Sequence, residues 1–233
     1  MKTTKFFWIM LALLSFQQVS VQAGGAGGIG IKGGLTISTI GLDSESAETQ
    51  KNKYRLGGTG GLSYEIATDG PFAFDVELIY DLRGTKIVSD VDFFGNNVGN
   101  NVFQTYFHYI TVPASFKFYI GDVFNVNFGG YTAFLAGGKA KNVFTPNVGD
   151  QVTSEHKIFD KDLEIDGEEL FNRFDAGIHF GLEFVSTKGF GVGTRFSKGL
   201  VNVNNEDHPL VSGRATTTEI SVYGIVRLAK KNN

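Results

Sequence analysis

The chain has no cysteine. That rules out a disulfide framework, haem attachment and any thiolate metal site. Its charge is not basic: the formal net value is -3, so no global field points to nucleic acid. Beyond residue 23 no apolar run is long enough for a membrane-spanning helix. The histidines, His108, His156, His179 and His208, form no H-x-x-x-H or H-E-x-x-H pair, so no zinc site is expected. A G-x-S-x-G elbow is also missing, and no residue set stands out as catalytic, so no enzyme is expected. Proline is scarce. Glycine is plentiful but has no three-residue period, which excludes a collagen-like chain. The glycine clusters sit inside alternating segments rather than between a strand and a helix, a poor setting for phosphate binding. No cofactor is expected.

The first residues read MKTTKFFWIMLALLSFQQVSVQA. Lys2 and Lys5 make a positive start, Phe6 to Phe16 an apolar core, and Val21-Gln22-Ala23 a small-residue cleavage pattern. The expectation is a signal peptide over residues 1–23, cleaved after Ala23, with the export that this implies. Loss of its two lysines, with no acid lost, would take the formal charge from -3 to -5.

In the remainder, residues 24–233, apolar residues alternate with polar or small ones. From Phe72 to Leu82 the even positions are Phe, Phe, Val, Leu, Tyr and Leu. Ala73, Asp75, Glu77, Ile79 and Asp81 lie between them, and Arg83 follows. A period of two over about 11 residues suits one membrane-crossing strand and not a helix. The pattern recurs over 28–40, 54–67, 105–119, 124–139, 173–185, 190–203 and 216–228. It predicts about eight antiparallel strands in an all-β, closed up-and-down transmembrane barrel.

The connections fall into two sets. Thr68 to Pro71, Gly121-Asp122 and Lys188-Gly189 are tight turns. The segments 41–53, 89–104, 141–172 and 204–215 read as long polar loops. Outer-membrane barrels place short turns in the periplasm and long loops outside.

Alternation alone does not say which face meets lipid, and a soluble lipocalin-like barrel would place the apolar face inside. Volume decides. Eight strands enclose a lumen just wide enough to fill with side chains. The apolar face carries many Phe; the polar face carries Gly34, Gly57, Gly61, Gly129, Gly177, Gly181 and Gly193. The apolar face is therefore assigned to lipid. The inward charges are then Lys32, Arg55, Arg83, Lys117, Arg195 and Arg227 against Glu65, Asp75, Glu77, Asp81, Asp175, Glu183 and Glu219. Unpaired buried charge is costly, so they are expected to pair across strands and fill the lumen as a structural network.

Two local features complete the reading. Pro113, within a strand, predicts a lumen-facing bulge or local break. The acidic run from Asp160 to Glu169 carries Asp162, Glu164, Asp166 and Gly167 at calcium-loop spacing, but Arg173 stands where the closing Glu belongs. A solvated loop is the reading, with a divalent-cation site over 150–169 left open.

Several segments carry a resemblance: GIGIKGGLTIS, YITVPASFKFYI, FGGYTAFLAGGK, FDAGIHFGLEF and GTRFSKGLVNV, in that order. Together they resemble the outer-membrane β-barrel domain family common in Bacteroidota, which includes PorT-like proteins. Lys32, Gly33, Gly34 and Leu35 match its opening motif, with Thr36 where Asn is usual. Tyr109 and Pro113, Asp175, and Arg195, Phe196, Gly199 and Leu200 match later motifs. The resemblance implies a Gram-negative outer-membrane location, with membrane lipid and the barrel assembly machinery as partners. It implies no single activity. The expectation is a structural or interaction barrel presenting long loops to protein partners. A PorT-like secretion or transport component and a soluble periplasmic binding barrel remain as alternatives.

Overall fold

The computed structural model describes residues 27–43, 50–68, 70–93, 96–158, 171–205 and 214–228. The expected signal peptide, the acidic run 160–169 and His208 lie outside the described residues. Eleven strands are present among those described: β1 (Gly28–Asp43), β2 (Gln50–Lys53), β3 (Arg55–Ala67), β4 (Phe72–Arg83), β5 (Lys86–Phe93), β6 (Asn96–Ile120), β7 (Phe124–Pro146), β8 (Val152–Lys157), β9 (Phe174–Val185), β10 (Phe190–Gly199) and β11 (Arg214–Arg227).

Eight of them form a closed antiparallel ring in the order β1-β3-β4-β6-β7-β9-β10-β11. The ring closes where β1 pairs with β11, from Gly30 opposite Arg227 to Asp43 opposite Arg214. Every ring strand thus neighbours the strands before and after it in the ring's chain order, the up-and-down barrel that the alternation predicts. Closure leaves no open edge in the wall, which hydrocarbon demands because it offers backbone groups no partner.

The tight turns gather at one end with both chain ends of the barrel. Gly121 and Gly189 have φ of 69° and 79° there, a left-handed backbone that glycine adopts at little cost. At the other end the wall continues past the barrel. The short strands β2, β5 and β8 pair with β5, β6 and β7 respectively, so much of the predicted loops is strand. Alternation could not reveal these segments: β8, for example, is solvent-exposed at every residue.

The alternation has a direct spatial meaning. In β4, Phe72, Phe74, Val76, Leu78 and Tyr80 are exposed, while Ala73, Asp75, Glu77, Ile79 and Asp81 are buried. Val76 is 37% exposed and Glu77 1%. The other ring strands repeat this, with Leu35, Leu62, Phe116, Phe128, Phe180, Phe196 and Ile220 outward. The molecule is apolar outside and polar inside, the inverse of a lipocalin-like barrel.

Pro113 departs in part from expectation. It is buried on the lumen face, but makes no bulge: β4 and β6 keep one register on both sides of it, from Val76 opposite Ala114 to Ile79 opposite Thr111. The ladder to β4 is interrupted while that to β7 is continuous, as the missing N–H requires. The β6–β7 register shift lies instead at His108/Tyr109.

Candidate functional site: a charged lumen with an apolar outer end

The lumen holds two charge clusters. In the first, near the short-turn end, the Lys32 ammonium lies 2.7 Å from Glu183, 2.9 Å from Glu77 and 3.2 Å from Asp75. Lys117 lies 2.8 Å from both Asp75 and Glu183 and 3.0 Å from Glu65. Arg227 donates to both Glu65 oxygens, at 3.0 and 2.7 Å, and Arg195 donates to Glu77. Four cations thus meet four carboxylates. The Tyr119 and Tyr223 hydroxyls donate to Glu65 and Glu183 at 2.7 and 3.0 Å.

The second cluster lies nearer the long-loop end and is unbalanced. Arg83 alone faces Glu219 at 2.9 Å, Asp81 at 3.1 Å and Asp175 at 3.3 Å. Hydroxyls take up part of the excess acid charge: Thr59 donates to Asp81 at 2.5 Å, and Thr217 and Tyr131 to Asp175 at 2.9 and 3.2 Å. No three His, Asp or Glu side chains among the described residues are placed to hold a metal ion.

Arg55 stands apart from both clusters. Its guanidinium lies 3.5 Å from the centroid of the Tyr106 ring and 3.4 Å from the Arg83 carbonyl, and it makes no ion pair among the described residues. It sits at the start of β3, opposite Ser38 of β1 in the ladder. The remaining twelve sequence-selected charges all lie in the two clusters.

Glycines make room for lumen tyrosines. Tyr223 stands between Gly34 of β1 and Gly193 of β10 in the ladder. A Cβ on Gly193 would sit 2.7 Å from the Tyr223 ring, and one on Gly34 would sit 2.8 Å from the Tyr223 Cβ. The narrow lumen accepts these rings only because their neighbours lack side chains.

Between the clusters lies a cavity of about 20 Å3, bordered by Lys32, Glu77, His179, Arg195, Glu219 and Tyr223. It has room for about one water molecule. His179 is fixed by Ser115 at 2.8 Å from its Nε2, and its Nδ1 has no protein partner. Of the other histidines, His108 meets the Tyr80 hydroxyl on the outer wall at 2.5 Å and His156 lies exposed on β8.

The sequence reading missed the outer end of the lumen, which is apolar. Ile40, Phe107, Tyr109, Leu135, Ile158, Val203 and Ala215 are buried together, with Phe171 packed against them. The Phe107 and Phe171 rings meet edge to face at 5.2 Å between centroids. Ile158, Phe171 and Val203 belong to connections that read as polar loops or strand ends. They are drawn in by backbone bonds from Ile158 to the Gly138 carbonyl at 3.1 Å, from Asn172 to Val203 at 3.0 Å and from Val203 to Ala215 at 2.9 Å. The Asn172 amide donates to the Asn202 and Asn204 carbonyls at 3.0 and 2.9 Å. Isolated apolar residues in polar segments carry no periodicity, and only this closure brings them together.

The family model described as outer membrane protein β-barrel domain matches residues 17–205. A search of curated proteins returns no match. Among solved structures, the chain is similar to Ail, the attachment invasion locus protein of Yersinia pestis, at 15% identity over 86% of this chain and 97% of that one, with a TM-score of 0.40. It is similar to Neisserial surface protein A at 10% identity over 85% and 96%, TM-score 0.42. The third is the outer membrane protein OprG from Pseudomonas aeruginosa, at 14% over 89% and 96%, TM-score 0.31.

Proposed function

We propose that this chain, which belongs to the outer membrane protein β-barrel domain family, is a closed barrel that anchors and presents its long connections at the cell surface. The observation that carries the reading is the Glu77–Arg195 pair. β4 and β10 occupy opposite positions in the eight-stranded ring, so this pair crosses the lumen's full width. Lys32 and Lys117 add shorter bridges, joining β1 and β6 to carboxylates of both β4 and β9. With an apolar stopper above, the lumen serves to hold the wall rather than to conduct. The surface strands and loops are what remain for partners. Export by a leader cleaved after Ala23 belongs to this reading. So does the PorT-like kinship, which rests on the order of its short motifs.

Surface display in intact cells tests it. An epitope inserted at Gly149, in the exposed turn between β7 and β8, should be detected without permeabilisation. The same epitope at Asp122 should be detected only after it. The mature protein should begin at Gly24 by mass. Soluble recovery from the periplasm, or detection of the Asp122 epitope alone on intact cells, contradicts the proposal.

A further inference from the structure

The outer wall of an outer-membrane barrel should be nearly free of charge over its apolar band. On the ring strands below the His108/Tyr109 shift, the described outward side chains obey this except at Lys198 and Arg214, on adjacent β10 and β11. Lys198 lies between Phe196 on its own strand and Leu200 just past the strand's end, with Ile178 opposite it on β9 and Ile220 nearby on β11, all exposed. It is the ninth residue of β10 counted from the short-turn end. A membrane-crossing strand has about 9–11 residues, so Lys198 stands at the outer rim of the hydrocarbon, where headgroups begin.

Its ammonium is held by two hydroxyls, Thr216 at 3.0 Å and Thr218 at 3.1 Å, and by no carboxylate among the described residues. Arg214 is one step further out and donates to the Leu200 carbonyl at 2.6 Å. Arg214 is already engaged by that carbonyl, so Lys198 is the principal cation of the patch. Desolvating a lysine at this rim without an anion is unfavourable. An amine and two neutral hydroxyls, directed outward at headgroup level, suit a phosphate monoester or diester.

We infer that Lys198, Thr216 and Thr218, with Arg214 at the edge, form a binding site for the phosphate of an outer-leaflet glycolipid headgroup. The acyl chains would lie against Phe196, Ile178 and Ile220. The inference rests on the outer-membrane reading above. It adds a lipid partner of defined chemistry at one place on the wall.

The test uses the purified mature protein refolded in neutral phosphatidylcholine vesicles, then exposed to lipid A or to the same lipid A dephosphorylated. Retained lipid is counted by native mass spectrometry. One lysine near an anionic surface contributes about a fivefold preference, so wild type should retain the phosphorylated form about fivefold better. K198Q should lose that preference and K198R should keep it. K139Q, which removes an exposed lysine paired with Glu155 at 2.7 Å, should leave it unchanged. Equal retention of the two lipids by wild type overturns the site, a result that needs no variant to fold. An unchanged preference in K198Q, or an equal loss in K139Q, overturns it as well. Insertion into neutral vesicles is scored separately by the heat-dependent gel shift. Failure there removes the membrane reading itself, whereas failure of the lipid preference alone removes only this site.

Discussion

Glu77 of β4 and Arg195 of β10 are 118 residues apart in sequence and pair directly across the barrel. Removing one member leaves the other charged and buried, a loss of about 3–5 kcal/mol. Lys32 also contacts Glu77 at 2.9 Å, so the shared network spreads part of the effect. E77Q and R195Q should each destabilise the barrel strongly. The double variant should lose less than the two single losses added. Urea unfolding in lipid vesicles, read as a double-mutant cycle, checks this. Simple additivity would mean that the two side chains act independently.

Val76, the adjacent residue, tests the opposite face. V76R places a charge on the lipid side of the wall, at a cost of about 2–4 kcal/mol near the midplane. V76L should be nearly neutral. The same unfolding experiment reads both. Equal stability of V76R and V76L would contradict an apolar face in lipid.

Gly193 tests the packing of the lumen. A methyl group there would press on the Tyr223 ring, and overpacking of this kind costs about 1–3 kcal/mol. G193A should therefore be destabilised, and G193A with Y223F should not recover, because the ring remains. G193A with Y223A should recover part of the loss. Thermal unfolding of the three variants gives the order.

Outside the membrane, Lys139 and Glu155 form an exposed ion pair at 2.7 Å between β7 and β8. The lysine hydrogen bond holds the Glu155 carboxyl below its usual range, and the same bond raises Lys139. A depressed carboxylate contributes stability above its unfolded pKa and loses it as pH falls through the folded value. A raised lysine contributes below its unfolded pKa and loses its share as pH rises through the folded value. The β7–β8 pairing should therefore be tightest between the two ranges and weaken at either extreme. An NMR titration of Glu155 should show a midpoint below that of free glutamate, restored by K139Q. An unchanged midpoint in K139Q would show that the pair does not form in solution.

The wall of the barrel was legible because two solvents meet at it. A strand with lipid on one side and a narrow lumen on the other must alternate, so 72–82 declared both its period and its faces. The volume argument placed Val76 outward and Glu77 inward because an eight-stranded lumen has no room for the Phe-rich face. Above the membrane that constraint ends. Both faces of β8 meet water, and the segment 152–157 alternates in nothing that marks it as a strand. Phe171 and Val203 were hidden for a related reason: single apolar residues acquire meaning only when the ring brings their connections together. Charge type was readable, but stoichiometry within the lumen was not. The near balance of the inward set divides into a neutral cluster and one in which Arg83 faces three carboxylates, because strand register, not composition, decides which charges share a level. Arg55 read as inward, yet it makes no ion pair among the described residues and stacks on Tyr106. The burial of Glu77 also sets a magnitude: a side chain in two ion pairs should make the loss in E77Q comparable with that in V76R.

On the proposed reading, a charge network and an apolar stopper close the lumen. Single-channel recording of the purified, refolded protein in a planar bilayer tests this most directly. Wild type should show no steady conductance above the bare membrane, and F171A alone should show none, because the ion pairs beneath the stopper remain. E77A with R195A and F171A, which opens both layers, should bring conductance steps. A steady pore-scale conductance in wild type, selective for small solutes, would mean that the lumen is open.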